Sequence, residues 1–184
     1  LGAVMGLSFG WEHPLWFANE PGVKDSIGFT RQNWWLPVGK ECKMLRNNAG
    51  IIDISNFAKY VVRGKKAYEW LDKVFANKIP TEVGRSTLAP LISSRGGLAG
   101  DFTINLIEEN EYWIFGSGMA ERYHKRFFYS VPFPEGVIFE SMTDNICGFS
   151  VSGPKSRKIL QHLTNTPLNT KDFPFMRSKR IELA

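Results

Sequence analysis

The run "SSRGGLAGD", residues 93–101, ends in a carboxylate, Asp101, at the point where the chain becomes extended again after a glycine-rich turn. A carboxylate held in a cavity can stabilise a developing cation and accept its proton. An Asp in this setting can equally cap its own turn and face water, and spacing alone favours that role. Other reactive residue types form no stronger pattern. Gly96, Gly97 and Gly100 lack the spacing of a dinucleotide or phosphate loop. His13, His124 and His162 are dispersed, with no cysteine or second histidine at ligand spacing, so no metal site is expected. Gly-x-Ser-x-Gly is absent, which leaves a hydrolase triad without support. Cys42 and Cys147 stand far apart and outside any CxxC, which argues against a disulfide framework and for a reducing compartment.

The totals narrow the partners. With 23 basic and 18 acidic residues the net charge is +5, a mild bias towards anionic ligands. The densest basic cluster, Arg177, Lys179 and Arg180, is short, and basic residues do not alternate with aromatics as a stacking platform would require. Nucleic acid is therefore not expected, and a small anionic ligand fits the charge as well. No stretch reaches the roughly 18 consecutive apolar residues of a membrane span. Glu12, Glu20 and Asp25 stand where an export signal would be basic and then apolar. The expected location is the cytoplasm, or the mitochondrial matrix in a eukaryote. The chain opens at Leu1 and stops inside "RSKRIELA", and it reads as part of a longer protein.

The elements that must position Asp101 follow from periodicity. Residues 1 to 36 mix four tryptophans with Gly and Pro without a sustained period, and are expected to be an irregular wrapping segment in which Trp34 and Trp35 serve packing. "LPVGKECKMLRNNAG" predicts a helix: Pro37 suits the first turn, Val38, Cys42 and Leu45 share a face, and Gly50 is its stop. "IIDIS" and "FAKYVVRG" read as strands. A helix follows with Ala67, Trp70, Leu71 and Val74 as its core stripe and Lys65 and Lys66 as a solvated start. A second strand–glycine–helix unit occurs 89 residues later, since "VRGKKAYEWL" and "VSGPKSRKIL" share Val, Gly, Lys and Leu at matching offsets. Between them lie three strand-like runs, "STLAPLISS", "DFTINLIEE" and "EYWIFGS". Pro90 places the first of these at a sheet edge or at a bulge. "MAERYHKRFF" predicts a helix with Ala120, Tyr123 and Phe127 on one side. From 57 to 150 the order is then β α β β β α β β, an α+β fold with largely antiparallel sheets. The expected division is 57–140 as an inserted ferredoxin-like α+β subdomain, with 1–55 and 141–184 as parts of one discontinuous domain.

Several of these blocks also resemble a known family in the same order. "GAVMG", "GWEHPLWFA", the long run from "NWWLPVGKECKMLRNNAG" through "FAN", "RGGLAGD" and "VSGPKSRKIL" look like the folate-binding, aminomethyltransferase-type domain of the glycine-cleavage T-protein superfamily. "GWEHPLWF" is similar to the branch carried by dimethylglycine and sarcosine dehydrogenases. The resemblance implies a T-protein-like folate-binding fold, incomplete at the C-terminus because the family's Tyr-Thr-Gly-Glu block and its barrel domain are not in this sequence. It implies a tetrahydrofolate site that captures the one-carbon unit of a methylated amine as 5,10-methylene-tetrahydrofolate. An FAD module would oxidise the amine, and no flavin fingerprint is present here.

Carried onto this chain, the resemblance makes Asp101 the catalytic carboxylate and Leu88, Thr103, Gly116 and Ser117 the lining of the folate pocket. Thr103 shares the strand face of Asp101, and Gly116 would let backbone approach a flat ligand. Leu88 stands where the family commonly has Tyr, Ser93 where it has Asn, and Tyr123 where it often has Asp or His. Two other members of the superfamily remain as alternatives: a non-catalytic folate-binding module that assists iron–sulfur proteins, and a demethylase of sulfonium compounds.

Overall fold

The computed structural model describes residues 2–8 and 10–183. Among the described residues nine strands and four α-helices are arranged as β1 (Ala3–Ser8), β2 (Trp11–Phe17), α1 (Trp35–Asn47), β3 (Gly50–Asp53), β4 (Ala58–Arg63), α2 (Ala67–Val74), β5 (Ser86–Ile92), β6 (Leu98–Glu108), β7 (Glu111–Gly116), α3 (Glu121–Ser130), β8 (Ile138–Ser141), β9 (Phe149–Ser152) and α4 (Ser156–Gln161). The fold is α+β. From β4 to β9 the order is the one the periodicities predict.

A five-stranded sheet, β5-β6-β7-β4-β8, carries the architecture, and every adjacent pair is antiparallel. Pro90 lies in β5, the edge strand, and the register shifts between Leu91 and Ile92. An edge is where a residue without an N–H leaves no ladder bond unmade. Alternation along the strands separates the two faces. Ala58, Tyr60, Val62, Ala89, Phe102, Ile104 and Ile114 point to one side and are 3% exposed or less. Helices α2 and α3 cover that side. Ala67, Trp70, Leu71 and Val74 of α2 recur at i, i+3, i+4 and i+7 and are buried, and the Trp70 ring stacks on Phe133 at 4.7 Å.

The core face of α3 differs from expectation. His124 and Phe128 are buried, whereas Tyr123 is exposed. Residues 118–120 form a 3-10 turn, so the α-helical phase starts at Glu121 and the inward face rotates by one residue.

The N-terminal segment is a second departure. Instead of an irregular wrap, β1 and β2 form an antiparallel hairpin pairing Ala3 with Phe17 and Ser8 with Trp11. Gly10 at φ +84° serves the turn, and Gly6 leaves the space that Leu15 fills, where a Cβ would sit 2.6 Å from its Cγ. Val4 and Trp16, cross-strand partners, are buried together. Helix α1 ends at Asn47, three residues before Gly50, and none of its residues is fully buried.

The repeated strand–glycine–helix units share their local geometry. Gly64 and Gly153 have φ of +128° and +106°, and Ala67 and Ser156 each donate an N–H to the carbonyl of the preceding glycine at 2.8 and 3.1 Å. A Cβ at Gly64 would meet the Gly136 carbonyl oxygen at 2.2 Å, and one at Gly153 the Asn48 carbonyl oxygen at 2.5 Å. Both positions therefore require glycine for two reasons, conformation and space.

By contacts the chain divides into Leu1–Gly50 with Val151–Ser156, and Ile51–Ser150 with Arg157–Ala184. The expected grouping put 141–184 with 1–55. The tail from 157 belongs with the five-stranded sheet: Ser86 N–H donates to Met176 O at 3.0 Å, Ser178 N–H to Gly84 O at 2.8 Å, and Arg177 pairs with Glu82 at 2.6 Å. Among the described residues no helix is long and apolar enough to cross a membrane.

Candidate functional site

The face of the sheet turned away from α2 and α3 carries a cavity of about 440 Å³. Strand register builds it. Leu88 pairs with Thr103 and Thr103 with Phe115, so these side chains stand in one row across β5, β6 and β7. In the next row Asp101 lies opposite Pro90. Gly116, Ser117, Gly118 and Met119 continue the wall where β7 gives way to the 3-10 turn, and Asn56 and Phe57 close another side just before β4. Since side chains alternate with period 2, a one-residue slip of β6 would send Asp101 and Thr103 into the core and Phe102 into the cavity.

All five residues named from the sequence, Leu88, Asp101, Thr103, Gly116 and Ser117, line this cavity. The turn-cap role that competed for Asp101 belongs to another residue. Ser93 Oγ accepts the Gly97 N–H at 3.1 Å, Ser93 N–H donates to Gly97 O at 2.9 Å, and Gly96 N–H donates to Ser93 O at 2.9 Å. Asp101 makes no side-chain hydrogen bond or ion pair with the described residues and is exposed to the cavity. Its surroundings are apolar apart from Asn56, Thr103 and Ser117: Leu88, Pro90, Phe57, Phe115 and Met119 supply the walls.

Gly116 has a different basis from the one read in the sequence. It is buried, and a Cβ there would lie 2.5 Å from Cε1 of Phe102. The absent side chain makes room for the Phe102 ring, which packs against Phe75 at 5.3 Å and Phe128 at 5.7 Å. Ser117 lies just beyond β7 instead of on it.

Beneath β6 at Gly100 sits His124, 2% exposed, with its ring 4.6 Å from that of Phe102. Burial pushes its pKa below the ordinary histidine range, against the opposing pulls of a hydrogen bond to the Ala99 backbone and the charge of Asp101. The position of a Cβ on Gly100 would be 2.7 Å from His124 Nε2, so only glycine lets β6 pass over the ring. Sequence reasoning missed Asn56, Phe57, Pro90, Phe115, Gly118 and Met119. Pro90 and Phe115 were open to detection, as the face-mates of Leu88 and the row-mate of Thr103. Asn56 and Phe57 arrive from another part of the chain and carry no local signal.

Among the described residues no group of three or more His, Cys, Asp or Glu could hold a metal ion. The cavity's size falls within the roughly 300–1,000 Å³ usual for small-ligand sites, and its apolar walls with one unpartnered carboxylate fit a flat heterocycle that develops positive charge or presents an N–H.

Over residues 1–184 the chain matches the family described as GCVT N-terminal domain, and it belongs to that family. Mitochondrial dimethylglycine dehydrogenase of Mus musculus is 32% identical over 184 residues, which cover 98% of this chain and 21% of that protein. Sarcosine oxidase subunit alpha of Rhizobium meliloti is 28% identical, with 99% and 18% covered. The glycine cleavage system aminomethyltransferase T of Bartonella henselae superposes with a TM-score of 0.77 at 20% identity, covering 98% of this chain and 44% of that one, a likeness of fold. The chain thus spans about a fifth of the length of the dehydrogenases it matches.

Proposed function

We propose that this chain is the tetrahydrofolate-dependent one-carbon-transfer part of an enzyme similar to dimethylglycine and sarcosine dehydrogenases, forming 5,10-methylene-tetrahydrofolate. The observation that carries the reading is Asp101: a carboxylate without a hydrogen-bond or ion-pair partner among the described residues, facing an apolar-walled cavity of about 440 Å³. Tetrahydrofolate supplies the nitrogen that captures the one-carbon unit. Asp101 stabilises the positive charge that grows on such a nitrogen and takes up, or directs, the proton it must lose. Low surrounding polarity strengthens this effect, because the carboxylate competes with fewer water dipoles. Leu88, Phe57, Phe115 and Met119 offer flat and flexible apolar contact to the ring system, and Thr103 and Ser117 offer hydroxyls at the margins. Oxidation of the methylated amine belongs to an FAD-dependent part of the whole protein, which is its functional partner.

Binding is the first requirement. Isothermal titration with tetrahydrofolate is expected to give saturable binding that Leu88→Glu weakens at least tenfold, since it places a second carboxylate in the same row as Thr103. Absence of binding to the wild-type protein, or wild-type affinity in Leu88→Glu, would overturn the assignment of this cavity.

A further inference from the structure

Lys59 is the one lysine buried in the molecule among the described residues, at 2% exposure. Its place in the sheet gives it a bearing on the cavity. On β4 it pairs with Phe115, which extends the row of Leu88, Thr103 and Phe115 onto a fourth strand. The first three members of that row line the cavity, and the fourth is covered. No carboxylate lies within ion-pair distance of its ammonium among the described residues. Instead Nζ donates to Ser55 O at 2.7 Å and to Phe57 O at 2.8 Å.

A buried ammonium with no carboxylate in direct contact is costly unless its hydrogen bonds are well made, and Asp53 acts on Lys59 only as a more distant charge. Here both bonds fall on one short piece of backbone. Between those two carbonyls lies Asn56, and Asn56 and Phe57 are cavity wall. The fit on the other side of this turn is equally close. A Cβ at Gly118 would lie only 1.6 Å from the Asn56 carbonyl oxygen, so the turn runs directly over that glycine. Lys59 itself is fixed at both backbone groups: its N–H donates to Thr143 Oγ1 at 3.1 Å, and its carbonyl accepts the Met142 N–H at 2.7 Å.

We propose that Lys59 is a positioning residue for the ligand cavity, its ammonium clamping the Ser55 and Phe57 carbonyls so that Asn56 and Phe57 are held against Gly118 as one wall of the site. The lysine acts through the turn and does not touch the ligand. A positioning role of this kind affects how tightly the ligand is held more than what happens once it is bound. The identity of the ligand as tetrahydrofolate rests on the function proposed above; the clamp does not.

The test uses the full-length protein with Lys59→Met, which keeps the apolar stem and removes the three N–H donors. Two quantities are read. Hydrogen exchange over residues 54–58, measured without ligand, is expected to quicken at least tenfold in the variant. The KM for tetrahydrofolate in methylene-folate formation is expected to rise at least tenfold, while kcat at saturation stays within about threefold of wild type. Lys59→Gln, which keeps a neutral donor, is expected to fall between the two and serves if the Met variant does not fold. Unchanged exchange at 54–58 in the folded variant overturns the clamp, whatever folate does. Quickened exchange with an unchanged KM overturns the positioning role. A fall in kcat at unchanged KM also overturns it, because that is the signature of a group acting in the chemical step. A wild-type protein that does not use tetrahydrofolate overturns the folate reading alone, and exchange then decides the clamp.

Discussion

Asp101 and His124 lie close together on opposite sides of β6 and differ in exposure. Asp101 faces the cavity without a hydrogen-bond or ion-pair partner among the described residues, whereas His124 is enclosed and kept neutral, its pKa lowered first by burial. A group whose folded pKa lies below its unfolded value of about 6.5 binds fewer protons in the native state. Its contribution to stability is complete above that value and is lost as pH falls through the folded pKa. The urea midpoint is therefore expected to drop between pH 7.5 and 5, and to drop less in His124→Gln. An identical pH dependence in that variant would show that His124 does not drive the loss. At Gly116 the argument is steric. Gly116→Ala presses a methyl group onto Phe102 from 2.5 Å and is expected to cost about 1–3 kcal/mol by overpacking, read as a lower urea midpoint at unchanged m-value.

At the level of elements, the strand–glycine–helix unit is the clearest link from sequence to structure. Its glycines at 64 and 153 were legible as a repeat, and both adopt positive φ with a carbonyl in the place of a Cβ. Gly64→Ala and Gly153→Ala are each expected to destabilise by more than about 1 kcal/mol, measured by denaturant unfolding; a neutral effect at either would break the equivalence of the two units. Pro90 correctly marked an edge, and period-2 alternation placed Asp101 and Thr103 on one face, because both signals are local. What could not be read depends on distant neighbours. The hairpin of β1 and β2 was hidden because Gly6 and Pro14 interrupt its alternation, while Leu15 fills the gap that Gly6 leaves. The phase of α3 was hidden by the 3-10 turn before it. The true neighbour of Gly116, the Phe102 ring, comes from another strand, and Lys59 looked like any strand lysine until its two carbonyl partners were known.

For the whole molecule, we propose that 57–140 is a folding unit inserted between parts of a second one, ferredoxin-like in its packing of two helices on one face of an antiparallel sheet. Its core is centred on Trp70, Leu71, Phe128 and Ile114, each 1% exposed or less, and hydrogen exchange in mild urea is expected to protect β4, β6 and β7 as one class, distinct from β1 and β2. A single class for all of these strands would contradict it. The central claim concerns what the cavity on that sheet does. In the full-length protein, Asp101→Asn keeps the shape of the side chain and removes the charge that answers a developing cation. The direct measurement follows flavin reduction by the methylated amine and the yield of 5,10-methylene-tetrahydrofolate in parallel. The account predicts flavin reduction at the wild-type rate and methylene-folate formation lowered on the order of a hundredfold or more. Methylene-folate formed by the Asn variant at the wild-type rate would contradict it.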